Sequence, residues 1–146
     1  MIQVMDLPAF APLVIFAVLL ALKMGAVAFV TSNERRKAKV VLNPEDVGVN
    51  PGSHAANEEA PATLRAKRAH VNDVENIPVF LVLALLFTLT GSSATEGWAY
   101  FGVYFAARMF HTIFYLRAMQ PWRTAMFALG QLTQLGIIVQ LVLSVL

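Results

Sequence analysis

The chain has 146 residues, 58% of them hydrophobic and only 14% charged, and its mean hydropathy is +0.63. Soluble domains carry about 25% charged residues, so this balance argues against a free cytosolic globular protein. Abundant aliphatic and aromatic side chains without a fixed repeat exclude disorder, collagen and solenoids. There are no cysteines, so disulfides, zinc fingers, iron–sulfur ligation and a cysteine nucleophile are out, and any thiol chemistry must come from a ligand.

The net charge of +2 says less than its distribution along four apolar stretches. The first is Leu7–Val30, with Lys23 as its one charge; about 20 apolar residues suffice to span a bilayer. Ala26-Val27-Ala28 has the form of a signal-peptidase site. However, the extreme N-terminal region carries Asp6 and no Lys or Arg, and the run exceeds a signal core of about 7–15 residues. A retained helix over about residues 7–34 is therefore expected. A polar loop follows, over about residues 35–64. In it Asn43-Pro44-Glu45-Asp46 reads as an Asn-capped turn opening a short helix, and residues 50–61 are expected to be mobile.

The second stretch, Ile77–Thr90, is too short to span alone at about 1.5 Å per residue. It must extend back through Arg68-Ala69-His70-Val71-Asn72-Asp73-Val74-Glu75-Asn76, giving a helix over about residues 65–90 in which Pro78 is a candidate kink. A polar half-helix at membrane depth is tolerated only where it faces protein or a water-filled cavity, the first sign of a site. Gly91-Ser92-Ser93 turns the chain into a third helix, about residues 97–117, which holds Arg108 and His111. Arg117–Arg123, with Pro121, turns it into a fourth, about residues 123–146, uncharged after its start but carrying Gln131, Gln134 and Gln140. The expectation is an all-α, integral membrane four-helix bundle forming one domain over residues 1–146. Arg35, Arg36, Lys37, Lys39, Arg65, Lys67 and Arg68 crowd the first loop and Arg117 and Arg123 the third. The positive-inside rule then puts both termini outside and these two loops in the cytoplasm.

Arg68, Asn72 and Glu75 fall at i, i+4 and i+7, and Arg108, His111 and Tyr115 at i, i+3 and i+7, so each trio shares a helix face. Arg123 and Thr124 open the fourth helix, and Arg35 closes the first, at the same membrane leaflet. Each has a plainer reading. The Arg35–Lys39 cluster and Arg123 suit snorkelling or headgroup contact; His111 suits a core hydrogen bond; Lys23, Gln131 and Gln134 suit helix pairing. Arg108 lies about 13 Å inside Arg117 at 1.5 Å per residue, a depth at which ionisable groups are costly and point to function. It either ties to Asp73 or Glu75 or meets a ligand. The three scattered histidines give no metal-ligand spacing, and neither a phosphate loop nor a nucleic-acid stripe is present. Several arginines, a carboxylate and a tyrosine at the cytoplasmic leaflet suit an anionic, polar molecule with more than one carboxylate, with an apolar second substrate arriving from the lipid.

The string Arg68–Asn76 followed by Pro78-Val79-Phe80 resembles the signature of the MAPEG superfamily of membrane-associated proteins in eicosanoid and glutathione metabolism. The resemblance is to the branch containing microsomal glutathione transferase and microsomal prostaglandin E synthase. Asn43-Pro44-Glu45-Asp46, Ala107–Leu116, Gln120-Pro121-Trp122-Arg123 and the position of Lys23 agree with it, over nearly the whole chain. The resemblance implies a homotrimer with glutathione bound between subunits near the cytoplasmic face. It implies that Arg68, Asn72 and Glu75 hold the backbone and termini of glutathione, that His111 and Tyr115 line the site, and that Arg35 comes from the adjacent subunit. Arg123 would stabilise the thiolate, Thr124 would stand beside the sulfur, and Arg108 would tie the site together. Val71 departs from an arginine of the prostaglandin synthases, Thr124 from their serine, and Phe127 and Ala128 from a tyrosine and a threonine. The implied activity is glutathione transfer to lipophilic electrophiles, with lipid hydroperoxide reduction beside it. A glutathione-dependent isomerase and a non-catalytic lipid-presenting protein are the alternatives.

Overall fold

A computed structural model describes residues 3–146. Four long helices dominate: α1 (Phe10–Ala38), α2 (Pro61–Leu89), α3 (Ala94–Leu116) and α4 (Trp122–Val145). α1 runs past the apolar stretch because Glu34–Lys37 are themselves good helix formers, with Lys37 Nζ donating to Glu34 Oε1 at 2.8 Å. It stops where Lys39 turns left-handed, at φ 57°. At 29 residues, α1 is about 44 Å long, so its basic end extends beyond a hydrocarbon core of about 30 Å. α2 begins earlier than the polarity pattern suggests because Pro61 sits at the start of the helix, where its fixed φ is pre-organised and its missing N–H costs nothing. The helix continues through Pro78 without a break. α3 begins at a capping box: Ser93 Oγ accepts from Glu96 N at 3.2 Å, and Ser93 N donates to Glu96 Oε2 at 2.9 Å.

Between α1 and α2 the chain forms short local structure. Two short strands, β1 (Val40–Val41) and β2 (His54–Ala55), pair in parallel with Val40 opposite His54 and Val41 opposite Ala55. A 3-10 turn, Pro44–Gly48, lies between them. Asn43 does not cap this turn as expected; its side-chain amide donates to Asp46 Oδ2 at 3.2 Å instead of accepting from the backbone.

α2 and α3 form the central pair, each packed against both α1 and α4. Their contact is aromatic, Phe80 stacking on Tyr104 at 3.7 Å between centroids and meeting Phe101 edge-on at 5.8 Å. Leu20, Ile77, Ala84, Phe87 and Ile137 complete the buried core. Gly97 allows the close approach of α1, since a Cβ there would lie 2.8 Å from Pro12 Cγ.

The outside is apolar as well. Val18, Leu22, Phe29, Val82, Leu132, Leu135 and Leu143 are exposed, which a water-soluble protein of this size would not sustain over a continuous surface. α1, α2 and α4 are each long and apolar enough to cross a bilayer. α3 has 23 residues, about 34 Å, and turns its polar groups Tyr104, Arg108, His111 and Thr112 inward, where all four are buried. The molecule is an integral membrane helical bundle.

Candidate functional site

The polar half of α2 faces two ways. Asp73 points into the bundle and is fully buried. Lys23 of α1 donates to its Oδ2 at 2.5 Å, and Arg108 Nη2 of α3 donates to its Oδ1 at 2.6 Å. Lys23 also donates to Thr112 Oγ1 at 2.6 Å, and Arg108 Nη2 to Asn72 Oδ1 at 2.7 Å. One carboxylate thus joins three helices, as an ionisable group at this depth requires. Arg108 ties to Asp73, not Glu75, and through Asn72 it reaches the edge of the site. Below this level, Gln131 donates to Asn76 Oδ1 at 2.7 Å, Tyr104 donates to Asn76 O at 3.1 Å, and Gln134 donates to Tyr104 Oη at 3.3 Å. These two glutamines join α4 to α2 and α3.

One helical step round, Arg68, Asn72 and Glu75 line a groove of about 350 Å³ with Leu64, Lys67, Val71 and Tyr115. Helical spacing brings the first three together; the end of α3 supplies Tyr115. Arg123, in the first turn of α4, lies over the Tyr115 ring, 4.6 Å from its centroid. Its neighbour Thr124 shares the Gln120 amide: Gln120 Nε2 donates to Thr124 Oγ1 at 3.0 Å while Gln120 Oε1 accepts from Arg123 Nε and Nη2 at 3.2 and 2.6 Å. His111 is buried behind Tyr115, 5.7 Å from it and 6.0 Å from Phe127 between ring centroids, and its Nδ1 has no hydrogen-bond partner.

Arg35 is outside this groove. Its Nε and Nη2 donate to Glu59 Oε1, and Lys67 Nζ lies 3.3 Å from Glu59 Oε2. The Glu59 carboxyl feels burial first, which raises its pKa. The contacts with Arg35 and Lys67 outweigh that and hold it below the usual carboxylate range.

Four of the nine expected site residues line the groove, Arg68, Asn72, Glu75 and Tyr115, and His111 and Arg123 adjoin it through the Tyr115 ring. Arg108 adjoins it through Asn72, Thr124 through Gln120 and Arg123, and Arg35 through Glu59 and Lys67. Sequence reasoning missed Lys67 as a groove residue, although Leu64, Lys67 and Val71 flank Arg68 and Asn72 on one helical stripe. It missed Glu59 because nothing local marks a loop carboxylate as buried. Among the described residues no group of three or more His, Cys, Asp or Glu side chains is placed to hold a metal ion.

The chain is similar over most of its length to known proteins. Human (Homo sapiens) prostaglandin E synthase is 34% identical over 130 residues, 88% of this chain and 85% of that protein. Human microsomal glutathione S-transferase 1 is 36% identical over 132 residues, again 88% and 85%. Prostaglandin E synthase of Equus caballus is 34% identical over 143 residues, 97% of this chain and 91% of that protein. Residues 13–143 match the MAPEG family itself, and with the bundle and its polar groove this makes the chain a member of the MAPEG family.

Proposed function

We propose that the protein is a membrane-bound glutathione transferase that holds glutathione as a thiolate and transfers it to lipophilic electrophiles. One observation carries the reading: the Arg68–Asn72–Glu75–Tyr115 groove with Arg123 stacked at its end. Glutathione has two carboxylates, one ammonium group, two amides and a thiol. The groove offers cations in Arg68 and Lys67, an anion in Glu75, and amide and hydroxyl groups in Asn72 and Tyr115. Each charged end of the peptide has an opposite partner, and charge-assisted hydrogen bonds of this kind are the strong ones.

A free cysteine-type thiol has a pKa of about 8.5 and is mostly protonated at pH 7. Arg123, beside the groove, favours the thiolate through its fixed positive charge. Lowering that pKa by about two units corresponds to about 2.7 kcal/mol. Thr124 donates a hydroxyl hydrogen bond toward the same charge. The thiol proton leaves to water. The sulfur lone pair then forms the S–C bond to the electrophile, whose leaving group departs with its bonding pair. With a lipid hydroperoxide the sulfur attacks the O–O bond instead, an alcohol leaves, and a second glutathione completes the reduction as the disulfide and water.

Val71 favours the transferase over the prostaglandin-synthase type of isomerase. It sits in the groove wall, 45% exposed, where it adds no charge, whereas the synthases to which this chain has a resemblance carry an arginine. The lipophilic substrate enters from the bilayer. The active assembly is a homotrimer in which Arg35 of one subunit serves its neighbour's site, the groove faces the cytoplasm and both termini lie outside. Steady-state kinetics with a lipophilic chloronitroaromatic electrophile test the reading. Asn72→Ala and Glu75→Gln are expected to raise KM for glutathione, and Arg123→Ala to lower kcat about 10²-fold. Wild-type protein with no turnover of glutathione would overturn the transferase assignment.

A further inference from the structure

Glu59 is the one acidic side chain of the 39–60 segment that the fold buries. A carboxylate removed from water has to be matched by positive charge, and Glu59 has a cation at each oxygen, hydrogen-bonded at Oε1 and paired by charge alone at Oε2. Arg35, from the end of α1, takes Oε1; Lys67, from the second turn of α2, faces Oε2. The exposures are unequal. The Glu59 side chain is 2% exposed, that of Arg35 38% and that of Lys67 45%. A guanidinium has five N–H groups and an ammonium three, so both cations keep donors free for another anion while Glu59 has no room for one. Lys67 also lines the groove beside Arg68, Asn72 and Glu75.

Resting on the glutathione reading above, we infer that Lys67 is a ligand-facing cation of the groove and Glu59 its positioning residue. The buried carboxylate, itself anchored by Arg35, holds Lys67 as a pre-organised cation for one carboxylate of the bound peptide. Without Glu59, the long flexible Lys67 side chain must be ordered by the ligand itself, and that ordering costs affinity. The charge count separates this from simple attraction. Removing a negative charge beside an anion site strengthens bulk attraction for a net-negative ligand, whereas losing a positioning group weakens binding.

The test is calorimetric titration of the full-length protein in lipid nanodiscs with glutathione and with its two mono-esters, each lacking one carboxylate. Glu59→Gln is expected to weaken glutathione binding about tenfold, Lys67→Gln to do so comparably, and the double variant to do little more than Lys67→Gln alone. Glu59→Asp, which keeps the charge, is expected to recover part of the loss. One ester should bind weakly to wild type already and be indifferent to Glu59→Gln. A glutathione affinity unchanged or tightened in Glu59→Gln, in protein still folded at the temperature of the titration, overturns the role of Glu59. An affinity unchanged in Lys67→Gln overturns that of Lys67. Wild-type protein that does not bind glutathione at all overturns instead the reading on which the inference rests.

Discussion

At the scale of single residues, Asp73 and Asn72 show how adjacent positions divide structure from chemistry. A step of about 100° round the helix sends Asp73 to the core, between Lys23 and Arg108, and Asn72 to the groove wall. Asp73→Asn leaves two buried cations without their anion, and breaking a buried pair in this way costs about 3–5 kcal/mol. The expected outcome is a marked drop in detergent thermal stability. Asn72→Ala, which keeps both ion pairs of Asp73 and removes one hydrogen bond from Arg108, should lower glutathione affinity with a smaller loss of stability. Equal thermal losses in the two variants would show that the division is wrong. The i, i+4, i+7 spacing made Arg68, Asn72 and Glu75 legible as one face in the sequence. The Lys23–Asp73 pair was not legible, because its partners lie 50 positions apart and only the packing of α1 on α2 selects Asp73 over Glu75.

At the scale of elements, helix length followed from apolar runs and helix ends from local chemistry. Ser93 and Glu96 have the capping-box spacing in the sequence, and α3 begins there, three residues before the hydropathy pattern suggests. Ser93→Ala should destabilise the bundle by about 1 kcal/mol, read as a lower unfolding midpoint with unchanged glutathione affinity. Residues 50–61 read as mobile by composition; within them His54–Ala55 pair with β1 and Glu59 meets Arg35 and Lys67, contacts that have no periodic signature. Because the folded-state pKa of Glu59 lies below its ordinary value, its contribution to stability is present above the usual Glu pKa of about 4.3. It is lost as pH falls through the lower, folded-state value. The stability difference between wild type and Glu59→Gln should therefore be constant from pH 8 to about 5 and shrink only under more acid conditions, in paired thermal melts. A difference that fades near pH 6 would contradict the direction of the shift.

At the scale of the whole molecule, a buried polar seam and an apolar exterior are two sides of one constraint. In lipid every charge must find its partner inside the bundle, so the charged seam of Lys23, Asp73 and Arg108 also fixes how α1, α2 and α3 meet. Basic residues gather at the two ends that join α1 to α2 and α3 to α4, which is where the groove opens. The absence of cysteines makes the proposed orientation directly measurable. Cysteines introduced at Ser92 and Asn57 should label from opposite sides of sealed vesicles, and labelling of both from one side would refute the topology.

On the reading proposed above, the groove binds glutathione and Arg123 holds its sulfur as the thiolate. Ultraviolet thiolate absorbance on adding glutathione to the purified protein, with Arg123→Ala alongside, tests it most directly. A saturable thiolate signal in the wild type, lost in the variant while glutathione still binds, is the predicted result. A wild type that binds glutathione without generating thiolate, or a variant with the full signal, would contradict it.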